Sequence, residues 1–491
     1  MSACAKSRGQ LAAVDLGATS GRVMLADVGR GLLDIRQVTR FANEPVHLWN
    51  GARAALHWNI VGLFAQVCEG LAQAGRDAAN LIGIGIDSWA VDYGLLRNGR
   101  LLAPPHHYRD LRCDDGVEAV HAVVPYRELY ARNGLQFLPF NTVYQLAADA
   151  KAGTLGCADT ALLVPDLMGY WLTGARVTER TNASTTGLLR TDGTWDDDLM
   201  RMLGYPGDLF PPVSEPGVDL GPVLPDIAAE IGLGQDQRSG PRVGTVASHD
   251  TASAVVAVPM AAESAVYISC GTWALVGVEL TGPVLGEAAR AANFTNEIGA
   301  DGRIRFLRNV MGMWLLTESV RHWQRDGSTV DLVRLLDEAA AAPPPLDVFD
   351  TEDPAFHPPG DMPGRIAAWY TDRGLPAPTS AAEMTRTIVE SLAAAFARGV
   401  ATASQLSGTP ADTVHIVGGG AKNRLLCQRL ADLVGVPVVA GPVEATATGN
   451  VLIQARSHGM LDGDLEALRA TVAAADLTER YLPHRTHVGK V

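Results

Sequence analysis

Residues 11–27 read LAAVDLGATSGRVMLAD, two apolar runs on either side of a short segment of small residues. The two apolar runs have β-strand composition and are separated by the small residues 17–21, which predicts a strand, a tight turn and a returning strand. Residues 265–280, AVYISCGTWALVGVEL, have the same order of apolar run, Gly-Thr turn and apolar run. Because each predicted hairpin occurs early in its half of the chain, we expect an internal duplication of one α/β unit.

The remaining segments alternate between helical and strand-like patterns. Residues 61–74 have helical spacing, and 81–96 are strand-like. A capping box at Ser380 and Glu383 opens a long amphipathic helix that we expect to end near Gly408. Residues 414–441 then add a strand, a Gly-rich turn, a helix and a strand. The pattern as a whole predicts a mixed α/β protein.

The boundary between two domains is expected near residue 244. Between residues 195 and 217 the chain becomes rich in Pro, Gly and Asp, and apolar periodicity lapses until about residue 243. A chain of 491 residues is also long for a single hydrophobic core. We therefore expect an N-terminal domain over 1–244 and a C-terminal domain over 245–491.

Charge and cysteine content exclude several classes of protein. There are 40 Lys and Arg against 54 Asp and Glu, a net charge of −14, so no dominant basic surface for nucleic acid or an anionic membrane is expected. The first ten residues have no apolar signal core, and no uncharged apolar stretch approaches the roughly 18 residues of a spanning helix. We expect a soluble, cytoplasmic protein. Six cysteines lie far apart without a C-x-x-C pair, which indicates reduced thiols: Cys4, Cys68, Cys113, Cys157, Cys270 and Cys427.

The two predicted turns could bind phosphates. Residues 17–22 supply backbone N–H groups and hydroxyls at a small-residue turn, and Asp15 beside them could hold a hydrated Mg²⁺. An ordinary hairpin turn would explain the same residues. Residues 270–272 offer a second clamp of amides and a hydroxyl, so the two hairpins together could hold successive phosphates of one nucleotide. No G-x-x-x-x-G-K-[ST] motif occurs, which excludes a P-loop enzyme.

A carboxylate suited to proton transfer lies in SHDTASA, residues 248–254. Asp250 leads into small helical residues near the expected domain boundary, where it could accept the proton of an attacking hydroxyl or merely cap the helix. The glycines at 418–420 end a strand and open a helix, but Asn423 at the third glycine position weakens a dinucleotide-binding interpretation. A nucleoside could lie against the same turn.

Two further segments mix aromatic and polar side chains, as a polyhydroxylated ligand requires. They are IDSWAVDYGLL, with Asp87, Trp89 and Asp92, and HYRDLR, with Tyr108 and Arg109. Each buried hydroxyl of a sugar needs a polar partner, and an aromatic face can cover its C–H edges. A solvated loop with a structural ion pair would account for the same residues.

Taken together, these motifs resemble the FGGY family of sugar kinases. The matching segments include DLGATSGR, GIDSWAVDY, YRDLR, SHDTASA, ISCGTWALVG and IVGGGAKNRLL, and the resemblance extends from residue 11 to beyond residue 454. It implies an α/β protein of two actin-like domains, of the ribonuclease H-like or hexokinase–Hsp70 superfamily. ATP and the sugar are expected in an interdomain active-site cleft.

The resemblance also implies roles for individual residues. Asp250 is expected to be the proton acceptor, and Asp15 is expected to organise Mg²⁺ through water. The ketose contacts are expected at Ala90, His249, Asp250, Thr251 and Asn309. The ATP contacts are expected at Ala18, Thr19, Ser20, Gly21, Arg22, Thr272, Thr317 and Gly419. Two positions depart from the pattern, since Ala90 stands where a sugar-contacting Gly is usual and Thr317 where a Gln usually reaches ATP.

Within the family, TNE at 295–297 and NVMGMWLL at 309–316 match the members that act on L-rhamnulose. The resemblance therefore implies transfer of the γ-phosphoryl group of ATP to O1 of L-rhamnulose. A kinase for another deoxyketose, such as L-fuculose, is an alternative. A nucleotide-operated binding or chaperone module on the same scaffold is a second alternative, and a dehydrogenase a more distant one. The sequence does not predict the oligomeric state.

Overall fold

The computed structural model of the protein describes residues 8–233 and 240–484. Its strands are β1 (Arg8–Leu16), β2 (Ser20–Gly29), β3 (Leu32–Ala42), β4 (Pro45–Trp49), β5 (Ala54–Trp58), β6 (Leu81–Ser88), β7 (Tyr93–Arg97), β8 (Arg100–Leu101), β9 (Thr160–Leu163), β10 (Thr178–Glu179), β11 (Val213–Ser214), β12 (Asp219–Pro222), β13 (Arg242–Gly244), β14 (Ala265–Cys270), β15 (Trp273–Leu280), β16 (Thr295–Ile298), β17 (Ile304–Met311), β18 (Thr413–Val417), β19 (Val438–Ala440) and β20 (Glu479–Tyr481). Its α-helices are α1 (Ile60–Asp77), α2 (Arg112–Val123), α3 (Tyr126–Asn133), α4 (Thr142–Ala152), α5 (Val164–Thr173), α6 (Arg180–Ala183), α7 (Asp197–Met202), α8 (Pro225–Glu230), α9 (Asp250–Val256), α10 (Glu287–Ala291), α11 (Trp314–Arg325), α12 (Leu332–Ala341), α13 (Met362–Thr371), α14 (Ala381–Ser407), α15 (Arg424–Val434), α16 (Ala445–Ser457) and α17 (Leu465–Ala474).

The chain packs into two compact units that are interleaved in sequence. The first consists of the described parts of Met1–Pro259, Leu280–Arg305 and Ala445–Asp476. The second consists of the described parts of Met260–Glu279, Phe306–Glu444 and Leu477–Val491. Because these units are interleaved in sequence, they do not test the expected division into an N-terminal domain over 1–244 and a C-terminal domain over 245–491. That division stays a prediction.

A six-stranded sheet in the order β12-β13-β6-β1-β2-β3 is the centre of the first unit. β1 pairs antiparallel with β2, as the opening hairpin predicts, and parallel with β6, while β13 pairs parallel with β6. Apolar residues of α1 and α5 pack with residues of β1, β2 and β6 in one buried cluster. Period-2 alternation along β1 places Ala12, Val14 and Leu16 in this cluster.

Helix α16 packs against β1 and β6 and crosses α9 closely. Small residues make this crossing possible, because a Cβ atom added at Gly449 of α16 would lie 1.8 Å from the carbonyl oxygen of Ser253 in α9. Glycine is also required in β6, where a Cβ atom at Gly85 would meet the side chains of Asn450 and Gln454 at 2.5 and 2.6 Å. Helix α16 therefore lies almost directly on the backbone of the central strands.

The second unit repeats the arrangement around β1. Strands of its sheet follow the order β17-β15-β14-β18-β19-β20. Here β14 pairs antiparallel with β15 and parallel with β18, as β1 does with β2 and β6. Helix α14 packs on β14 and α15. The equivalent pairing of the two hairpins supports the internal duplication predicted from their patterns, and the mixed α/β class is confirmed.

Most predicted elements appear where the patterns indicate. Helix α14 begins after Ser380, whose side chain accepts the N–H of Glu383 at 3.2 Å, and it ends at Gly408 in the left-handed conformation. The carboxylate of Glu383 accepts the N–H of Thr379 at 2.8 Å, so it bonds one residue before the capping position. Within the described ranges, no helix is long and apolar enough to span a bilayer. The described cysteines have free thiols, and Cys4 lies outside the described residues.

Candidate active site

The polar residues of the first unit collect at one edge of its sheet. β13, β6 and β1 run parallel, so their carboxyl ends meet at the same edge, where open α/β sheets bind ligands. Asp15 and Asp87 are partners in the β1–β6 register. After β13 the chain continues alongside the end of β6, where Ser88 donates its N–H to the carbonyl of Ser248 at 2.9 Å. Helix α9 then begins at Asp250.

The turn between β1 and β2 is held by its own backbone and by Asn43. Gly17 donates its N–H to the carbonyl of Ser20 at 3.0 Å, and Asn43 bonds the carbonyls of Gly17 and Thr19 at 2.9 and 3.1 Å. Ala18, Thr19 and Ser20, predicted as ATP contacts, remain partly exposed. The reason for Gly21 is packing, since a Cβ atom there would lie 2.2 Å from the ring of Phe41.

The Asp15 carboxylate is already paired within the first unit. Arg22 donates to its Oδ2 atom from Nε at 2.9 Å and from Nη2 at 2.6 Å. Asp15 was predicted to organise Mg²⁺ and Arg22 to contact ATP. Their ion pair joins these two predicted residues and leaves the Oδ1 atom of Asp15 without a hydrogen bond to the described residues.

Asp87 is the least satisfied carboxylate at this edge. It is fully buried, its Oδ2 atom accepts from Nδ2 of Asn450 at 2.6 Å, and its Oδ1 atom has no hydrogen-bond partner among the described residues. Burial and the neighbouring charges of Asp15 and Asp250 raise its pKa well above the ordinary range, against the lowering effect of Asn450. Three carboxylates therefore lie within electrostatic reach of one another.

Asp250 is the partly exposed member of this group, since 29% of its side chain is accessible. Its Oδ1 atom accepts the N–H of Thr251 at 2.6 Å and the Thr251 hydroxyl at 3.1 Å, and Nε2 of His249 lies 3.4 Å away. Burial raises the pKa of Asp250, His249 lowers it, and Asp15 raises it further. A carboxylate with a raised pKa and one bonded oxygen suits a general base.

His249 in turn contacts a buried ion pair. Its Nδ1 atom lies 3.1 Å from Nη2 of Arg305 and 3.4 Å from Oε2 of Glu297. Arg305 is fully buried and pairs with Glu297 at 3.1 Å. Burial alone would raise the pKa of Glu297, but the guanidinium of Arg305 beside it holds that pKa below its usual range.

A second buried carboxylate fixes the loop that carries His249. Oε2 of Glu179 accepts the N–H and the hydroxyl of Ser248 at 3.0 and 2.7 Å and the Thr181 hydroxyl at 2.6 Å. That hydroxyl oxygen accepts the N–H of His249 at 3.2 Å. Glu179 is fully buried. Both residues that precede Asp250, Ser248 and His249, thus have hydrogen-bonded backbone N–H groups.

The predicted ketose contact Ala90 follows Trp89, one of two tryptophans whose indole N–H groups bind the carboxylate of Asp92. Oδ2 of Asp92 accepts the indole N–H groups of Trp58 and Trp89 at 2.6 and 3.0 Å, and Oδ1 accepts from Gln145 at 2.7 Å. Asp92 is 1% exposed. Both carboxylate oxygens of Asp92 are therefore used in hydrogen bonds inside the protein.

The backbone at Ala90 accommodates alanine. The left-handed residue is its neighbour Val91, with φ of 67°, and the N–H of Asp92 bonds the carbonyl of Ala90 at 2.9 Å across a γ-turn. The Thr142 hydroxyl bonds the Val91 carbonyl at 2.7 Å and holds this strained turn. The φ of Ala90 itself lies outside the left-handed region, so glycine is not required there.

The predicted nucleotide residues of the second unit surround the β14–β15 turn. Met313 donates its N–H to the carbonyl of Gly271 at 2.9 Å and Trp314 to that of Thr272 at 3.3 Å, which ties the turn to the start of α11. Thr317 lies one turn into α11 and donates its N–H to Met313. Thr272 and Thr317 therefore belong to one connected substructure, and Asn309 lies on β17, which pairs with β15.

The Gly-rich turn after β18 reaches the same hairpin from its other side. Gly418 has φ of 80°, and a Cβ atom there would lie 2.9 Å from the carbonyl of Cys270. A Cβ atom at Gly420 would lie 2.3 Å from the Cys270 sulfur. Asn423 caps α15 by accepting the N–H of Leu426 at 3.1 Å. The predicted ATP contact Gly419 thus sits in a turn whose glycines allow it to pack against the hairpin.

The carboxylates of the first unit supply the kind of oxygen donor that Mg²⁺ requires. Across residues 8–233 and 240–484, no group of three or more His, Cys, Asp or Glu side chains is arranged to hold a metal ion directly. Mg²⁺ is commonly held by one or two carboxylates together with water and substrate phosphates. The oxygen donors of Asp15 and Asp87, with the orphaned Oδ1 of Asp87, fit that mode of binding.

Sequence reasoning missed several of these residues. Glu297 occurs in a quoted motif without a role, Arg305 and Glu179 were not singled out, and Asp87 was grouped with a sugar surface. A parallel pairing of β1 with β6 in register would have placed Asp87 beside Asp15. No local signal connects Arg305 with His249, which are 56 residues apart.

The chain is similar to known carbohydrate kinases over nearly its whole length. The models of the N-terminal and C-terminal domains of the FGGY family of carbohydrate kinases match residues 11–256 and 266–458. The chain is 39% identical over 481 residues to a rhamnulokinase of Pectobacterium carotovorum subsp. carotovorum (strain PC1), covering 96% of this chain and 93% of that protein. It is 36% identical over 475 residues to a rhamnulokinase of Bacteroides thetaiotaomicron, covering 96% and 95%. The chain belongs to the FGGY family of carbohydrate kinases, as its motifs indicated.

Solved structures show the same fold. The crystal structure of xylulose kinase from Rhodospirillum rubrum superposes with a TM-score of 0.74 at 20% identity, covering 97% of this chain and 95% of that one. At such low identity this likeness concerns the fold alone. It confirms the two-domain α/β architecture that the resemblance implied.

Proposed function

We propose that the protein transfers the γ-phosphoryl group of ATP to O1 of L-rhamnulose. The observation that carries this proposal is the Asp250 carboxylate, which ends a buried approach at the carboxyl edge of the first sheet and keeps one oxygen free of hydrogen bonds to the described residues. The relatives named rhamnulokinase, which align over almost the whole chain, support the choice of sugar.

Asp250 is the base in the proposed phosphoryl transfer. Asp250 accepts the proton of the O1 hydroxyl as O1 attacks the γ-phosphorus, an O1–P bond forms, and the bond from that phosphorus to the β,γ-bridging oxygen breaks. The products are L-rhamnulose 1-phosphate, ADP and a proton first held on Asp250. A base at this position contributes typically 10²–10⁴-fold to such a reaction. Exclusion of water by closure around both substrates would prevent ATP hydrolysis.

Phosphate binding is assigned to the two turns. The proposal keeps Ala18, Thr19, Ser20, Gly21 and Arg22 of the first hairpin, and Thr272, Thr317 and Gly419 of the second unit, as ATP contacts. Backbone N–H groups of such turns suit phosphate oxygens. Mg²⁺ would be held by Asp15 through water, and when bound it neutralises charge on the phosphates. Thr317 is short, so its contact with ATP would run through water.

Ketose binding is assigned to Ala90, His249, Asp250, Thr251 and Asn309. The non-left-handed φ of Ala90 supports a backbone contact at that position without glycine. L-fuculose or another deoxyketose remains the alternative substrate, and a panel of sugars ranked by kcat/KM in a coupled ADP assay decides between them. A low rank for L-rhamnulose would overturn the choice of sugar. A cytoplasmic location is part of the same proposal.

Asp250→Asn tests the base. The amide keeps the size of the side chain but cannot take the proton, so we expect sugar and ATP affinities near wild type by calorimetry and a kcat lower by about 10²–10⁴-fold or more. Asp197→Asn is the matched control, because Asp197 is also the first residue of a helix and is exposed. Turnover of Asp250→Asn within a few-fold of this control would end the assignment.

A further inference from the structure

The two ring nitrogens of His249 face groups of opposite character. Nδ1 lies 3.1 Å from Nη2 of Arg305, and Nε2 lies 3.4 Å from Oδ1 of Asp250. Oε2 of Glu297 is also near Nδ1, at 3.4 Å. A neutral imidazole carries one proton, and its position decides which side of the ring donates a hydrogen bond.

The guanidinium group determines that position. Arginine carries only donors and stays protonated, so a nitrogen that bonds it must offer a lone pair. The Nη2 atom of Arg305 bonds Nδ1 of His249 at 3.1 Å and the Ile298 carbonyl at 3.3 Å, which uses its two hydrogens. Oε2 of Glu297 takes part in the ion pair at 3.1 Å but in no hydrogen bond with the described residues. Nδ1 therefore accepts, and the ring proton lies on Nε2.

Burial makes this arrangement rigid. Arg305 is 0% exposed. If its guanidinium group moved away from Glu297, a buried carboxylate would be left without a counter-charge, which is strongly unfavourable. Glu297 is 4% exposed and His249 6%. The N–H of His249 is bonded to the Thr181 hydroxyl, so the backbone below the ring is fixed as well. The ring cannot flip to exchange the positions of Nδ1 and Nε2 without breaking these contacts.

We propose that Arg305, held by Glu297, is a positioning residue that keeps His249 in the Nε2–H tautomer, so that the ring donates toward Oδ1 of Asp250. Oδ1 already accepts two hydrogen bonds from Thr251, which leaves Oδ2 as the atom that takes the proton of the sugar hydroxyl. The functional part of this inference rests on the proposed function, whereas the tautomer itself does not.

The tautomer is measured directly in the wild-type protein. With ¹⁵N-labelled histidine at pH 7.5, long-range ¹H–¹⁵N spectra distinguish a protonated ring nitrogen from one with a lone pair, and His249→Gln identifies the His249 signals by their loss. We expect an unprotonated Nδ1 and a protonated Nε2. A protonated Nδ1, alone or together with Nε2, would overturn the proposal whatever the activity of the enzyme.

Kinetics then test what the tautomer does. The side-chain amide of Gln can place a donor near the position of Nε2, whereas that of Asn reaches only Nδ1, so kcat should fall at least 10-fold less in His249→Gln than in His249→Asn. Arg305→Met with Glu297→Gln removes both buried charges, and we expect kcat about 10²-fold below wild type with sugar KM within a few-fold. Glu297→Gln alone keeps the donation from Arg305 and should cost less than 10-fold.

The outcomes separate this inference from the proposed function. If Asp250→Asn turns over normally, the base assignment fails while the spectra still report on the tautomer. If the double variant melts at the wild-type temperature and keeps the wild-type kcat, the positioning role of Arg305 is refuted. If the double variant does not fold, the ring spectra of the wild-type protein and the comparison of His249→Gln with His249→Asn decide.

Discussion

Gly449 lies where α16 crosses α9, and Gly449→Ala perturbs the helix that carries Asp250 from outside the site. The added Cβ atom would lie 1.8 Å from the Ser253 carbonyl oxygen, where ordinary contact begins at 3.4 Å, so the helices must separate by about 1.6 Å. Overpacking of this kind costs typically ~1–3 kcal/mol, against a gain of ~1 kcal/mol in helix propensity. The obstacle is backbone, so a side-chain rotation cannot relieve it.

The displacement should reach the active site, because Ser253 is three residues after Asp250 in the same helix. A misplacement of about 1 Å at a reacting group can cost ~10²-fold in rate. We therefore expect Gly449→Ala to lower kcat by about 10- to 100-fold and to lower the melting temperature by a few degrees. The measurements are a coupled ADP assay and thermal unfolding followed by circular dichroism.

Gly169→Ala is the control for helix propensity alone. Gly169 lies inside α5, and the nearest atom to its added Cβ would be a flexible Leu220 methyl at 3.3 Å. This variant should keep wild-type activity and gain up to about 1 kcal/mol of stability from helix propensity. If Gly449→Ala matched Gly169→Ala in both measurements, the close crossing of α16 and α9 would not be what positions α9, and the reasoning would be refuted.

Two further predictions concern Asp92 and the rings around it, among which the ring of His107 stacks on that of Trp58 with 4.0 Å between the centroids. Burial lowers the pKa of His107 to about 3, and its Nδ1 atom accepts the N–H of Arg109 at 3.0 Å. The unfolded chain takes up this proton near pH 6.5, so the stability that depends on neutral His107 is complete well above that pH. It is lost as the pH falls, by about 2 kcal/mol at pH 5. His107→Asn keeps an acceptor but does not titrate, and its unfolding free energy should vary less between pH 7.5 and 5 by that amount; an unchanged pH dependence would contradict the assignment. Asp92→Asn replaces one of two acceptor oxygens by an amide donor, which then faces either the indole N–H groups or the side-chain N–H of Gln145, so the variant should be destabilised by roughly 1–3 kcal/mol in urea unfolding. Unchanged stability of Asp92→Asn would show that these hydrogen bonds are not needed.

The elements that could be predicted from the sequence are those whose signals are local. Both hairpins combine apolar alternation with small turn residues, and α14 has a cap, a repeat and a terminal Gly408 within one stretch. The family motifs likewise made Asp250 the candidate base, because SHDTASA is contiguous. In each case the residues that determine the structure lie within a few positions of one another.

The parts that could not be predicted depend on contacts between distant segments. Asp87 and Asp15 are 72 residues apart and meet only through the parallel pairing of β1 and β6. The neighbours of Asp92 in sequence are aromatic and polar, which suits either a sugar-binding surface or a structural loop. The saturation of Asp92 becomes visible only when Trp58 and Gln145 are brought to it by the fold.

The most distant of these contributions comes from α16, which follows the second unit's segment in sequence yet packs in the first unit. Gly449 sets how closely this helix approaches α9, and the next residue, Asn450, gives Asp87 its hydrogen bond at 2.6 Å. Because a longer distance between the helices would also withdraw that amide, the position of Asp250 and the solvation of Asp87 are coupled through one turn of one helix. The small residues before Asn450 are therefore as much a part of the site as its carboxylates, since they determine how two of these are held.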